Sequence, residues 1–191
     1  MKEQALLDKC AKGDVRAFEE LIEQYQQGII NHAYSMFLNR EDALDMAQET
    51  FIKAFNGITS FNRQSSFKTW LYRIATNVCL DELRRRKRRA ATVSLTAVFD
   101  GEGEGGQIDV VDTSADPAQA AQQAFLRRAI EQAIGELDTE YRAAIVLREI
   151  EGMDYNEIAK TMGCSLGTVK SRISRARAQL REKLAKHREL L

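Results

Sequence analysis

Four cations, Lys170, Arg172, Arg175 and Arg177, fall within the stretch "SLGTVKSRISRARAQL", residues 165–180, and no acid stands between Glu157 and Glu182. Long cationic side chains suit the phosphates and base edges of a nucleic acid. In the same stretch Val169, Ile173, Ala176 and Leu180 recur at helical spacing, and Leu184 continues the stripe. Opposite it lie Ser171, Ser174, Arg175 and Ala178, flanked by Lys170 and Arg177 on one side and Arg172 on the other. Small residues let a helix axis approach a groove floor while the cations reach past them. A merely solvated helix would mix its charges, with Glu pairing Lys or Arg four residues away. Just upstream, Asp154 and Glu157 have capping-box spacing, Gly163 is a helix stop and Ser165 a new cap. A short helix, a tight turn and a longer basic helix form the helix-turn-helix layout, whose chemistry is duplex DNA readout.

A second constellation lies in the first half of the chain. Trp70, Arg73, Asn77 and Arg84 share one helical face, and the preceding loop "SFNRQSSF" adds Phe61 and Phe67. Aromatic rings beside cations and an amide suit unstacked, single-stranded bases. Each aromatic taken singly fits a core position as well, and more often takes one. In "DALDMAQETF", Asp42, Asp45, Gln48, Glu49 and Ile52 form an outward face. Acids and an amide around an exposed Ile fit a basic protein partner, and they fit an ordinary solvated face equally.

The elements that must position these groups are helical. Pro occurs once, at Pro117, and apolar periods of three and four dominate, so an all-α protein is expected. A short helix near Leu6–Cys10 precedes one over 15–37, with Asp14 as N-cap and Phe18, Leu21, Ile22 and Tyr25 on a face. Asn39 opens the next, with Leu44, Ala47, Phe51, Phe55 and Ile58 as its stripe. A third runs from Phe67 into "RRRKRR" with Leu71, Ile74, Ala75 and Val78 inward. Residues 93–115 contain "DGEGEGGQ" and are expected to be a flexible acidic, Gly-rich linker; the alternative is an acidic segment lying in a basic channel of a partner. Asp116-Pro117 is a helix start, with Leu126, Ile130, Ile134 and Leu137 as the inner face. Another helix follows from Asp138 to Ile150. Two small helical domains are expected, residues 1–92 and 116–191.

The formal net charge of the 191 residues is zero, but its distribution is uneven. Residues 63–89 hold nine basic and two acidic residues, 166–191 hold eight and two, and 94–126 hold six acids and no base. Two separated basic blocks imply two contacts with one polyanion. Cys10, Cys79 and Cys164 have no C-x-x-C spacing, so buried thiols in a reducing cytoplasm are expected, not a zinc site or disulfide framework. "MKEQALLDKCAKGD" lacks the apolar core of a signal peptide, and no run is long enough to cross a bilayer, so the chain is expected to be neither secreted nor membrane-inserted. His32 and His187 stand alone, with no phosphate-cradling loop. No catalytic residue, metal site, cofactor or small-molecule substrate is expected.

Four stretches, "KGDVRAFEELIEQY", "DALDMAQETFIKAF", "SFKTWLYRIATNVCLDELRRRKRR" and "LREIEGMDYNEIAKTMGCSLGTVKSRISRARAQLREKL", together resemble the extracytoplasmic-function (ECF) group of bacterial sigma factors. They cover nearly the whole chain outside the linker. The resemblance implies a cytoplasmic transcription initiation factor that docks on core RNA polymerase, on the β′ clamp helices and the β flap. It implies that Asp42, Asp45, Gln48, Glu49 and Ile52 bind the clamp helices. Phe61, Asn62, Phe67, Lys68, Trp70, Arg73, Asn77 and Arg84 would capture −10 bases. Ser165, Thr168, Lys170, Ser171, Arg172, Ser174, Arg175 and Arg177 would read the −35 duplex. It also implies an inhibitory anti-sigma factor, in this family often membrane-anchored. The rival expectation is a stand-alone helix-turn-helix regulator.

Overall fold

The computed structural model describes residues 2–93 and 117–185, and side chains over 3–91 and 122–185. Eight α-helices are described: α1 (Lys2–Cys10), α2 (Val15–Phe37), α3 (Arg40–Gly57), α4 (Phe67–Val93), α5 (Pro117–Gly135), α6 (Thr139–Ile145), α7 (Tyr155–Met162) and α8 (Leu166–Leu184). The chain is all-α among the described residues, with one helical domain before the linker and one after it, the second a helix-turn-helix. The expected linker lies outside the described residues apart from Val93, where α4 ends, and Asp116 and His187 lie outside them too.

Local chemistry sets the boundaries. The Asp14 carboxylate accepts the Ala17 N–H at 3.1 Å and starts α2. Leu38, in the left-handed region at φ 55°, ends that helix by donating its N–H to the Tyr34 carbonyl. Asn39 immediately caps α3, accepting the Asp42 N–H at 3.0 Å. Ser66 caps α4 through the Thr69 N–H at 3.0 Å. After α6 the helix widens into a π-helical turn, Val146–Ile150, closed by Glu151 N–H on the Val146 carbonyl at 3.1 Å.

One apolar core runs through both domains, from Leu21, Met36 and Leu71 to Leu147, Ile158 and Ile173. His32 is fully buried in it, its Nε2 3.2 Å from the Thr76 hydroxyl and its Nδ1 3.7 Å from the Glu151 carboxylate. Arg142 of α6 donates to the Met36 carbonyl at the end of α2, to the Gly135 carbonyl at the end of α5 and to the Leu137 carbonyl just beyond it. One guanidinium thus satisfies orphan carbonyls of two helix ends.

Two expected inner faces are corrected. On α3 the buried residues are Ala43, Met46, Ala47, Thr50 and Ala54, while Leu44 and Phe55 are exposed. Small side chains bring α3 close to its neighbours, which turns the bulkier stripe outward. On α5 the buried residues are Ala129 and Ala133; Ile130 is exposed, and Leu126 and Ile134 are half-buried along a crevice facing α2. Cys10 and Cys79 are buried, as expected of inert thiols, and burial pushes the Cys79 thiol up to about 12. Cys164 is only half-buried.

Candidate nucleic-acid interface

The helix-turn-helix is built by three caps. Asp154 accepts the Asn156 and Glu157 N–H groups at 2.7 and 2.8 Å, and Glu157 returns the bond by accepting the Asp154 N–H at 3.0 Å. Gly163, at φ 61°, reverses the chain where a side chain would be strained. The Ser165 hydroxyl accepts the Thr168 N–H at 3.1 Å and starts α8. Val169, Ile173 and Ala176 are buried, which fixes the azimuth of the helix. Lys170, Ser171, Ser174, Arg175, Arg177 and Ala178 are exposed as a result, with Ser165 exposed and Thr168 half-buried at the amino end.

The cations of α8 are held at its edges. Arg175 donates to the Tyr141 hydroxyl at 3.1 Å, and Arg177 pairs with Glu149 at 2.6 Å. Arg172 is half-buried and pairs with Glu140 at 3.1 Å. These partners lie on α6 and the π-turn, so the helix beneath sets the splay of the cations. Lys170 makes no ion pair among the described residues.

On the N-terminal domain, Lys68, Arg73, Asn77 and Arg84 are exposed along α4, and Asn62 is exposed in the loop before it. Arg73 and Asn77 make no side-chain hydrogen bond among the described residues. Trp70 and Phe61 are half-buried with ring centroids 5.2 Å apart. Phe67 is 2 % exposed, 5.6 Å from Trp70, 5.9 Å from Phe61 and 5.4 Å from Tyr25. Its ring has no free face, so it supports the other two and does not itself offer a stacking surface.

The acidic face of α3 stands apart from these cations. Asp45, Gln48, Glu49 and Ile52 are exposed. Asp42 is half-buried beside Arg86, at 2.8 Å, and that hydrogen bond holds its carboxyl below the usual carboxylate range. Glu49 pairs with Lys53 at 2.9 Å. Between α2 and α3 lies an apolar groove of about 490 Å³ whose lining includes Val15, Phe18, Ile22, Leu44, Phe51 and Phe55. Leu44 and Phe55 of this lining belong to a second, bulkier apolar stripe on α3, which periodicity alone assigns to the core.

Residues 21–89 match the family model described as Sigma-70 region 2, and residues 127–180 match Sigma-70, region 4. The chain is 37% identical over 186 residues to the ECF RNA polymerase sigma-E factor of Haemophilus influenzae, covering 96% of each. It is 38% identical over 180 residues to the RNA polymerase sigma-H factor of Pseudomonas aeruginosa, covering 92% of this chain and 90% of that one. Its fold is similar to the sigma factor RpoE in complex with the anti-sigma factor NepR from Bartonella quintana. The TM-score is 0.67 at 27% identity, covering 90% of this chain and 98% of that one. It is likewise similar to CnrH in complex with the cytosolic domain of CnrY, with a TM-score of 0.67 at 27% identity over 97% and 99% of the two chains. The chain belongs to the sigma-70 family and is an RNA polymerase sigma factor of the ECF group.

Proposed function

We propose that this sigma factor divides promoter recognition between its two domains. Residues 1–92 bind core polymerase and the −10 element, and residues 116–191 read the −35 element. The observation that carries the reading is the exposed face of α8, where Lys170, Ser171, Ser174, Arg175 and Ala178 lie together above a fully buried stripe. Small residues there admit the helix axis to a major groove, and Arg175 and its neighbours reach base edges and phosphates. On α4, Trp70 and Phe61 offer partly exposed rings, with Lys68, Arg73, Asn77 and Arg84 alongside for phosphate and base-edge contacts. Melting costs unstacking energy, which such contacts to extruded bases offset.

The polymerase contact is α3. Gln48 and Ile52 line the apolar groove beside it, and Asp45 and Glu49 share the exposed face of the helix with Asp42 at one end; together they would accept a helix pair such as the β′ clamp helices. The β flap is the second polymerase contact that the resemblance implies. An anti-sigma factor fits the second apolar crevice, about 540 Å³, where Tyr34 of α2 and Leu38 just after it face Leu126, Ile130 and Ile134 of α5. The two solved structures described above are complexes, one with the anti-sigma factor NepR and one with the cytosolic domain of CnrY. That partner, membrane-anchored or not, would act on a cytoplasmic factor; among the described residues no helix is long and apolar enough to cross a membrane. The factor works by binding alone, without a catalytic step or a small-molecule substrate.

Run-off transcription with sigma-free core polymerase on a genomic fragment library tests this. Discrete transcripts that need the chain are expected. No transcripts, together with specific duplex binding by the chain alone, would favour a stand-alone regulator.

A further inference from the structure

We propose that Asp8 is a positioning residue for base capture: from α1 it holds Arg63, and through Arg63 the loop of residues 61–66, in the shape that presents Phe61 and Asn62 to an extruded base. The role rests on the assignment of Phe61 and Asn62 to the −10 element. The Asp8 carboxylate accepts a hydrogen bond from the Arg63 guanidinium and pairs with it across 55 positions of sequence.

Neither residue suits its own backbone. Arg63 stands in the left-handed region at φ 59°, where glycine or asparagine is at ease and a longer side chain is strained. Asp8 lies in the last turn of α1, where a carboxylate opposes the helix dipole and alanine is the better helix former. Each position is disfavoured locally, and the contact between the two offsets both. Inside the loop the Asn62 side chain accepts the Gln64 N–H at 3.2 Å, a bond the loop makes with itself. Among the described residues, Arg63 to Asp8 is the one side-chain hydrogen bond that ties residues 62–65 to another element.

Helix α1 reaches the same apparatus by a second route. Leu6, Leu7 and Cys10 are buried and fix the helix on its domain. The Tyr25 hydroxyl of α2 donates to Glu3 of α1 at 2.6 Å, and the Tyr25 ring stands edge-on to Phe67 at 5.4 Å. Phe67 in turn backs Phe61 at 5.9 Å and Trp70 at 5.6 Å. One end of α1 thus steadies the aromatic cluster, and the other end steadies the loop beside it. A loop already held in its binding shape loses less conformational freedom when a base enters. The Asp8 and Arg63 side chains are 58 % and 43 % exposed, so the pair adds little to global stability. Its effect is confined to the loop.

Asp8→Ala in the full chain tests this, free and in holoenzyme with core polymerase. Three quantities are read. In the free chain it is acrylamide quenching of Trp70, the single tryptophan. In holoenzyme they are closed-complex binding by gel shift and opening of a promoter recovered by run-off transcription, followed by 2-aminopurine in its −10 element. Loss of the anchor should raise Trp70 quenching, because Phe61 packs on that ring at 5.2 Å. Opening should fall about three- to fivefold, with closed-complex binding unchanged. The sign is diagnostic, since removing a carboxylate adds positive charge and by itself strengthens DNA binding. Asp8→Arg should lower opening too, and Asp8→Arg/Arg63→Asp should return it to within about twofold of the wild type. Unchanged Trp70 quenching or wild-type opening in Asp8→Ala overturns the inference. Faster opening does so as well, making Arg63 a DNA contact that Asp8 withholds. So does a loss that the reversed pair leaves unrepaired or that falls equally on closed-complex binding. Asn62→Ala separates positioning from base capture itself. If it leaves opening intact, the capture role of the loop fails whatever Asp8 does. If it lowers opening and Asp8→Ala does not, positioning alone fails.

Discussion

Replacing Gly28 with alanine sets two effects of known size against each other. Gly28 lies in the interior of α2 with ordinary helical backbone, where alanine should stabilise the helix by about 1 kcal/mol. An added Cβ would sit 2.6 Å from the Tyr72 hydroxyl oxygen. Tyr72 cannot easily move: it is 3 % exposed, its ring stands edge-on to His32 at 5.5 Å, and its hydroxyl is hydrogen-bonded to Glu151. Overpacking at such a site costs about 1–3 kcal/mol, and displacing the hydroxyl from a buried carboxylate adds about 1 kcal/mol or more. The net expectation is a loss of about 1–3 kcal/mol. In a Tyr72→Phe background the nearest remaining ring atom, Cζ, is 3.8 Å from the new methyl, an ordinary contact. Helix propensity then acts alone, and Gly28→Ala should stabilise by about 0.5–1 kcal/mol. Urea unfolding of the four proteins, followed by circular dichroism and by Trp70 fluorescence, gives the coupling energy directly. A Gly28→Ala chain that gains as much in the wild-type background as in Tyr72→Phe would refute the steric argument.

Arg175→Ala should weaken −35 recognition about 10- to 100-fold if the guanidinium contacts a base edge. Core polymerase binding should be unchanged, as run-off transcription and a core-binding titration would show; wild-type transcription rates would remove α8 from readout. Asn77→Ala should impair strand opening more than closed-complex binding, and a permanganate footprint beside a gel shift separates the two. Equal losses would remove Asn77 from base capture. Asp42, depressed by its hydrogen bond from Arg86, contributes stability in full above its unfolded value near 4 and loses it as pH falls through the lower folded value. Asp42→Asn should therefore cost up to about 0.5 kcal/mol at pH 7, discounted for its partial exposure, with the gap from the wild type closing below about pH 4. A gap that persists at pH 2 would rule out the ion pair as its source.

The features legible in the sequence were those specified by neighbouring residues. Asp14, Asn39, Asp154 and Ser165 cap helices because the groups that satisfy them lie two or three positions away, and Gly163 marks a turn because few other residues tolerate its backbone. The stripe of Val169, Ile173 and Ala176 identified the inner face of α8 because only one apolar stripe exists there. Helix α3 has two, and periodicity alone cannot tell that Ala43, Ala47 and Ala54 go inside while Leu44 and Phe55 stay out. Size decides it, through how closely α2 and α4 approach. Phe67 reads as a base-stacking candidate until Tyr25, from a different helix, is placed beside it. The contacts of Glu140, Glu151 and Glu157 with the N-terminal domain join groups 56 to 119 positions apart and leave no local pattern. The π-turn likewise has no signature in its residues.

That turn also bears on how the factor addresses DNA. Because Val146–Ile150 winds with an extra residue, everything after it is rotated relative to a plain α-helical path. Removing one residue there and restoring an α-helix would swing the following chain by about 100°. Met153, which donates its N–H to the Leu147 carbonyl at 3.0 Å, would leave the core, and α7 and α8 would present a different azimuth to the duplex. The widened turn works as a vernier: its residue count, more than the identity of its side chains, sets the yaw of α8 and so the angle at which the proposed reading helix would meet a groove.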